Sequence, residues 1–246
     1  MSLPVLSGPA RGIRLAANLR YDAFYWTGTY ERETQRALAD ILRPGDAFWD
    51  IGAHVGFFSL LGARLVGPAG QVLALEPVPG NIRLLRRSLQ LNDARNVRVE
   101  ATAVAAESGT ARMSPHRRGA MWRLIREPGE TELVVPCQTL DGLAANGPGP
   151  AMVKIDVEGA ELDVLAGAKH LLERLRTHLL VEFHDEGAFL EAGRRLPGYG
   201  FQTVLERPAA PDRGAGRGMV RVCLLSPRAP VREDADRIDC GHGGEA

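Results

Sequence analysis

Residues 48–81 read FWDIGAHVGFFSLLGARLVGPAGQVLALEPVPGN, and the rest of the chain is organised around them. A short apolar run, 47–51, carries an acid near its end, Asp50. The glycine turn Gly52-Ala53-His54-Val55-Gly56 follows, then an apolar helix over 57–65 and a Gly-Pro-Ala-Gly turn. A second apolar run, 71–75, meets Glu76. Strand, glycine turn, helix, strand and acid make the first half of a nucleotide-binding βαβ unit. The glycines let the backbone approach a ligand closely, and the helix N-terminus offers free N–H groups. A carboxylate at the tip of the second strand suits the two hydroxyls of a ribose.

Dinucleotide enzymes use G-x-G-x-x-G, so that a pyrophosphate sits on the helix N-terminus. Here the pattern is Asp50-x-Gly52-x-x-x-Gly56, with an acid beside the turn. That acid repels a pyrophosphate and attracts an ammonium. S-adenosylmethionine has a ribose and a methionine ammonium but no phosphate. The turn therefore points to S-adenosylmethionine rather than NAD.

The length of 246 residues fits one large α/β domain with ample core material. A hydrophobic fraction of 45% and a charged fraction of 24% are those of an ordinary soluble globule. The formal net charge is zero, which argues against a nucleic-acid partner. Cys137, Cys223 and Cys240 are odd in number, far apart and outside metal spacing, so reduced thiols in a cytoplasmic protein are expected. Residues 1–9 lack a secretory signal, and no apolar run approaches the roughly 18 residues of a membrane span, so no membrane partner is expected.

In chain order, 1–29 reads as an irregular N-terminal arm or lid, rich in Pro and Gly. It carries most of the aromatic patch Tyr21, Phe24, Tyr25, Trp26 and Tyr30. The main domain spans 30–226, and 227–246 is expected to be a disordered polar tail. Helices are predicted over 31–42, 81–91, 139–145, 161–175 and 188–196. Main strands are predicted near 48, 72, 98, 153, 180, 202 and 221, with a loop over 207–218. Between 107 and 139 the pattern breaks into short strands at 110–113, 121–125 and 132–137, a small β insertion. Arg112, Arg117, Arg118, Arg123 and Arg126 make it basic, as a solvated face or as an acceptor wall that favours an anionic or sugar substrate.

With these segments in place, the chain resembles the FkbM family of S-adenosylmethionine-dependent class I methyltransferases from about 28 to 225. The resemblance rests on Gly28-Thr-Tyr-Glu31, Asp50-Ile-Gly-Ala-His-Val-Gly56, Glu76-Pro, Leu140-Asp141, Val153-Lys-Ile-Asp-Val-Glu-Gly-Ala-Glu161 and Val181-Glu-Phe-His184. The stretch 154–161 is the most specific of these. His54 stands where the family usually has Asn. The resemblance implies an α/β fold: a Rossmann-like sandwich on a seven-stranded, mostly parallel sheet with the last strand antiparallel. The strand count read from the pattern is also seven. It further implies O-methylation of a hydroxyl, often on a sugar or secondary metabolite, with S-adenosylhomocysteine as product. The cofactor-binding set is then Glu31, Asp50, Gly52, His54, Gly56, Glu76, Asn81, Ala103 and Asp156.

An alcohol needs a base as it attacks the methyl group. Candidates lie at the strand ends: His184, Asp156, Glu158 and Lys154. An imidazole with an unperturbed pKa of ~6.5 suits a base at neutral pH. Lys154 stands two residues before Asp156 and shares its face, so it can pair with Glu158 or Glu182, in a catalytic or a purely structural cluster. Magnesium held by Asp156 with Glu182 or His184 is the less favoured reading. Two rival functions remain: a non-catalytic S-adenosylmethionine-binding protein, and a methyltransferase acting on RNA or protein. The filled acid positions count against the first and the neutral charge against the second.

Overall fold

The computed structural model describes residues 3–16, 23–115, 122–125, 132–145, 147, 149–174, 176–208 and 219–228. The first βαβ unit is β1 (Ala47–Ile51), α3 (Phe57–Val66) and β2 (Gln71–Leu75), preceded by α1 (Ala23–Thr27) and α2 (Arg32–Ile41). Then come α4 (Pro79–Leu91), β3 (Val97–Glu100), β4 (Ala103–Val104), β5 (Gly109–Pro115), β6 (Trp122–Ile125), β7 (Leu133–Gln138) and α5 (Leu140–Ala144). The second half holds β8 (Met152–Ile155), α6 (Glu161–Ala166), α7 (Lys169–Glu173), β9 (His178–Phe183), α8 (Glu186–Arg195), β10 (Tyr199–Pro208) and β11 (Met219–Pro227).

Seven strands form one sheet in the order β10-β11-β9-β8-β1-β2-β3. The pairs among β9, β8, β1, β2 and β3 are parallel, and β11 runs antiparallel to both of its neighbours. The strand order reverses between β1 and β8, which is where ligands bind in such sheets. The register sets Asp50 of β1 directly beside Lys154 of β8.

The core follows from the period of two along each strand. Met152, Leu180 and Leu224 pack with Phe48, Leu38 and Leu61 under α2 and α3. Their neighbours Val153, Leu179 and Leu225 pack with Val164, Leu172 and Phe183 under α6 to α8. All four residues of β8 are buried, as a central parallel strand covered on both faces requires.

The insertion is a second sheet, β4-β7-β5-β6, closed around Ala103, Met113, Val135 and Cys137. The three short strands expected there fall in β5, β6 and β7, with β5 antiparallel to both others. Ala103 and Val104 do not continue β3; they pair with β7. Arg112 pairs with Glu132, whereas Arg117, Arg118 and Arg126 lie outside the described residues. The arm is packed: Val5, Ala10, Ile13 and Leu15 are buried, and the Trp26 indole donates to the Leu3 carbonyl at 2.8 Å. Tyr21 and residues 229–246 of the expected tail lie outside the described residues.

Four expected boundaries move. The helix expected over 161–175 is interrupted between α6 and α7, because Gly167 lies against the Ala105 carbonyl with no room for a side chain. The Asp141 carboxylate then caps α7, accepting from the His170 and Leu171 amides at 3.0 and 2.8 Å. Helix α4 starts at Pro79 rather than 81, since proline suits the first helical position. Pairing with β11 extends β10 to Pro208, so Arg207 stands on a strand rather than in a loop. Asp185 caps α8 through the Ala188 amide at 2.9 Å and starts it at Glu186. Cys137 and Cys223 are free and buried. No helix among the described residues is long and apolar enough to cross a membrane.

Gly52 tests this architecture. Its φ is 81°, and a Cβ would stand 1.9 Å from the Asp156 carbonyl oxygen. Gly52→Ala should cost at least ~1–3 kcal/mol from backbone strain alone. In thermal melts that is a fall of several degrees for a chain of this size. An unchanged melting temperature would show that β1 and β8 are not held this closely.

Candidate active site

The cavity at the carboxyl ends of the strands has a volume of about 470 Å³. Its floor is the glycine turn. The Gly52 and Ala53 amides both donate to the Leu75 carbonyl, at 2.9 and 3.0 Å. His54 then adopts a left-handed φ of 50°, which aims its amide at Glu76 Oε2, 2.9 Å away. Gly56, at φ 88°, begins α3, and a Cβ there would meet Leu85 Cδ1 at 2.4 Å.

The Glu76 carboxylate accepts from three donors: the His54 amide, the Val78 amide at 2.9 Å and the Asn81 side chain at 3.2 Å. Burial pushes its pKa up to about 7, against the pull of those donors. Asp50 is buried as well. Its Oδ2 accepts from Ser59 Oγ at 2.6 Å, while Oδ1 has no hydrogen-bond partner among the described residues. Burial raises its pKa even though Lys154 pulls it down.

Lys154 is buried on the same face of the sheet and donates to Asp156 Oδ2 at 3.1 Å. Its ammonium also sits 4.9 Å over the Phe58 ring. Burial works against the charge, yet Asp156, Asp50, Glu31 and Glu182 together hold the pKa well above the ordinary lysine value. Its ion-pair partner is thus Asp156, where Glu158 or Glu182 was expected. Asp156 itself stays below the usual carboxylate range: burial opposes ionisation, but Lys154 and then His184 overcome it.

Beyond Asp156 lies a carboxylate-rich corner. Glu182 is buried, ion-paired through Oε1 with Arg207, and pushed up to about 8 by burial and then by Asp156 and Glu31. His184 Nδ1 stands 2.8 Å from Glu161 Oε1, and Nε2 stands 3.5 Å from Glu158, 3.5 Å from Glu182 and 4.0 Å from Asp156. Burial lowers the imidazole pKa, but Glu161, Asp156, Glu182 and Glu158 outweigh it and push it up to about 10. The value near 6.5 that recommends His184 as a base is therefore not the one this surrounding gives: at neutral pH the ring carries a proton on each nitrogen.

Of the residues expected from the sequence, Asp50, Gly52, His54, Glu76, Asn81, Ala103, Lys154, Asp156 and Glu158 line the cavity. Glu31, Gly56 and His184 stand behind its wall. Glu31 takes a left-handed φ of 39°, and its Oε1 is 3.6 Å from Arg207. Three contributors carry no signal in the sequence reading: Ser59, which braces Asp50; Glu161, quoted only within a motif; and Arg207. Phe24 and Tyr25 of the arm line the cavity, together with Tyr30 and with Trp122 of the insertion.

A family model described as the methyltransferase FkbM domain matches residues 50–203. The 31-O-demethyl-FK506 methyltransferase FkbM of Streptomyces tacrolimicus is 31% identical over 205 residues, covering 68% of this chain and 76% of the relative. The hexuronic acid methyltransferase AglP of Haloferax volcanii is 26% identical over 170 residues, covering 63% and 62%. The solved structure of a methyltransferase FkbM from Methylobacillus flagellatus superposes with a TM-score of 0.51 at 19% identity, over 82% of this chain and 52% of that one. The chain belongs to the FkbM methyltransferase family, on a class I methyltransferase fold.

Glu76 gives the site a pH signature. Its folded pKa of about 7 lies above the ordinary value of 4.5, so between them the folded state binds more protons than the unfolded. The stability this contributes is complete below about pH 4.5 and is lost as pH rises through 7. Denaturant titrations across that window should show this decline, and Glu76→Gln should flatten it. Parallel curves for the two proteins would mean that Glu76 is ionised throughout.

Proposed function

We propose that this member of the FkbM family transfers a methyl group from S-adenosylmethionine to a hydroxyl oxygen on a sugar or secondary metabolite. The observation that carries the reading is Asp50 Oδ1, a buried carboxylate oxygen with no hydrogen-bond partner among the described residues, in the wall of the strand-end cavity. A buried carboxylate oxygen without a partner is costly unless a ligand supplies the donor. A methionine ammonium is such a donor, whereas a pyrophosphate would be repelled. Glu76 accepts only one bond through Oε2, which leaves that oxygen able to take a second from a ribose hydroxyl. Asp50, Gly52, His54, Glu76, Asn81 and Ala103 are the residues proposed to hold the cofactor, with Glu31 and Gly56 shaping the wall behind them.

Held by those residues, S-adenosylmethionine would supply an electrophilic methyl group to the acceptor oxygen, the S–CH3 electron pair staying on sulfur to give S-adenosylhomocysteine. The chain's own part is to position the acceptor, exclude water and receive the proton. Asp156 and Glu158 reach the cavity from the end of β8 and can accept a hydrogen bond from the acceptor hydroxyl. Lys154 keeps Asp156 ionised for that purpose. Phe24, Tyr25 and Tyr30 supply an apolar wall that a sugar ring or polyketide face can cover. The acceptors named for the relatives, 31-O-demethyl-FK506 and a hexuronic acid, support a small hydroxylated substrate. The zero net charge supports no nucleic-acid partner, and the free thiols support a reducing compartment, the cytoplasm.

Calorimetry provides the first check. S-adenosylmethionine and S-adenosylhomocysteine should bind, and NAD should not. Asp50→Asn should weaken binding about tenfold or more, since a hydrogen bond to a charged group is worth about 1.5–3 kcal/mol. Mass spectrometry of hydroxylated candidates should then show the gain of one methyl group, and Asp156→Asn should slow it by ~10²–10⁴-fold. Failure of the full chain to bind S-adenosylhomocysteine would overturn the reading.

A further inference from the structure

We propose that Asp156, Glu158 and His184 form a binding site for one divalent first-row transition-metal ion, Mn²⁺, Fe²⁺ or Zn²⁺, with Glu161 as the residue that positions the histidine. The proposal goes beyond methyl transfer and does not depend on it. One ligand atom from each of Asp156, Glu158 and His184 can be chosen so that all lie within 4.8 Å of one another. They come from two adjacent strand ends: the turn after β8 and the residue after β9.

Three features favour an ion over a self-contained cluster. The separations from His184 Nε2 to the surrounding carboxylate oxygens, 3.5 to 4.0 Å, are long for hydrogen bonds. They suit neighbouring ligands around a common centre, because bonds of about 2.0–2.2 Å place adjacent donor atoms about 3 Å apart or a little more. Next, the histidine is oriented from behind. Glu161, fully buried, stands 2.8 Å from Nδ1 and holds the ring so that Nε2, once an ion displaces its proton to solvent, faces the carboxylates. A carboxylate on the far nitrogen is the usual companion of a metal-bound imidazole. Finally, Glu182 is buried beside the cluster with Oε1 3.5 Å from Nε2, and its Oε2 has no hydrogen-bond partner among the described residues. Arg207 pairs with Oε1 and Lys154 is engaged with Asp156 Oδ2, so the buried Oε2 is the atom that a further ligand can satisfy.

The donor set names the class of ion. Carboxylates alone suit magnesium or calcium, whereas an imidazole among them favours the transition series. Asp156 and Glu158 also line the cavity, so an ion on them faces the acceptor. A cation there can draw the acceptor hydroxyl oxygen to itself and ease loss of its proton.

The full chain, freed of metal by chelation, is titrated with Mn²⁺ followed by electron paramagnetic resonance, with Zn²⁺ as competitor and Mg²⁺ for comparison. One Mn²⁺ should bind per chain, be displaced by Zn²⁺, and resist a tenfold excess of Mg²⁺. The electron spin echo should show modulation from a directly bound nitrogen, lost in His184→Ala. Glu161→Gln should weaken Mn²⁺ by about 10–100-fold while keeping the nitrogen signal, the usual loss for an outer-shell partner. S-adenosylhomocysteine binding is measured on the same samples, so a failed cofactor site and a failed metal site are told apart. Absence of saturable Mn²⁺ or Zn²⁺ binding to a chain that retains its melting transition would overturn the proposal. So would Mn²⁺ binding without nitrogen modulation in the unmodified chain.

Discussion

The Lys154 ammonium is the interaction on which the functional end of the sheet depends. It is almost wholly buried, on a strand covered on both faces, and it is the nearest cation to Asp50 and Asp156. Its charge survives because four carboxylates surround it. Those four come from separate parts of the chain: Glu31 from the start of α2, Asp50 from β1, Asp156 from the turn after β8, and Glu182 from β9. Removing one partner of such a buried set typically costs 3–5 kcal/mol, because it strands the charges that remain. Buried ion pairs are a poor source of net stability. What this one supplies is a fixed arrangement: it ties the start of α2, the first βαβ unit and the second α/β half to one point.

The fold was legible because its main strands advertise themselves. Residues 47–51, 71–75, 152–155 and 178–183 are compact, largely apolar runs, and each is a strand of the central sheet. The errors lie where tertiary contacts override local pattern. The apolar repeat over 161–175 has the period of one helix, whereas the chain breaks it at Gly167, against which the Ala105 carbonyl packs. Ala103 and Val104 look like the tail of β3, but the partner that claims them, β7, lies more than thirty residues on. Such non-local pairing leaves no local mark.

The acids of the site were legible by position, and their partners were not. Asp50, Glu76 and Asp156 stand at strand ends, so the topology brings them to one cavity. Pairing beyond a strand end depends on turns that the sequence conceals. His54 and Glu158, at φ 50° and 53°, take a left-handed conformation that non-glycine residues seldom adopt. Glu158 next to Gly159 gave no hint that its carboxylate turns back toward His184. The pKa of His184 was equally hidden, since four carboxylates decide it and Glu161, the nearest, is twenty-three residues away in sequence.

The unsatisfied buried groups are not spread evenly through the molecule. Most buried polar atoms in folded proteins find a partner. Among the described residues, the buried side-chain atoms without one are the two Glu31 oxygens, Asp50 Oδ1, Glu161 Oε2, Glu182 Oε2, Thr34 Oγ1 and the Tyr199 hydroxyl. Five of the seven are carboxylate oxygens, and all five belong to residues around Lys154 and His184. A protein that only needed a stable core would replace such acids with apolar side chains at little cost, or at a gain. Keeping them concentrates negative potential at the strand ends, and burial strengthens that potential. Of the five, Asp50 Oδ1 lies by the glycine turn, Glu161 Oε2 and Glu182 Oε2 lie in the corner of His184, and the two Glu31 oxygens lie beside Arg207. That division fits two separate positive charges, an ammonium of a small ligand at the glycine turn and a metal ion at the ends of β8 and β9.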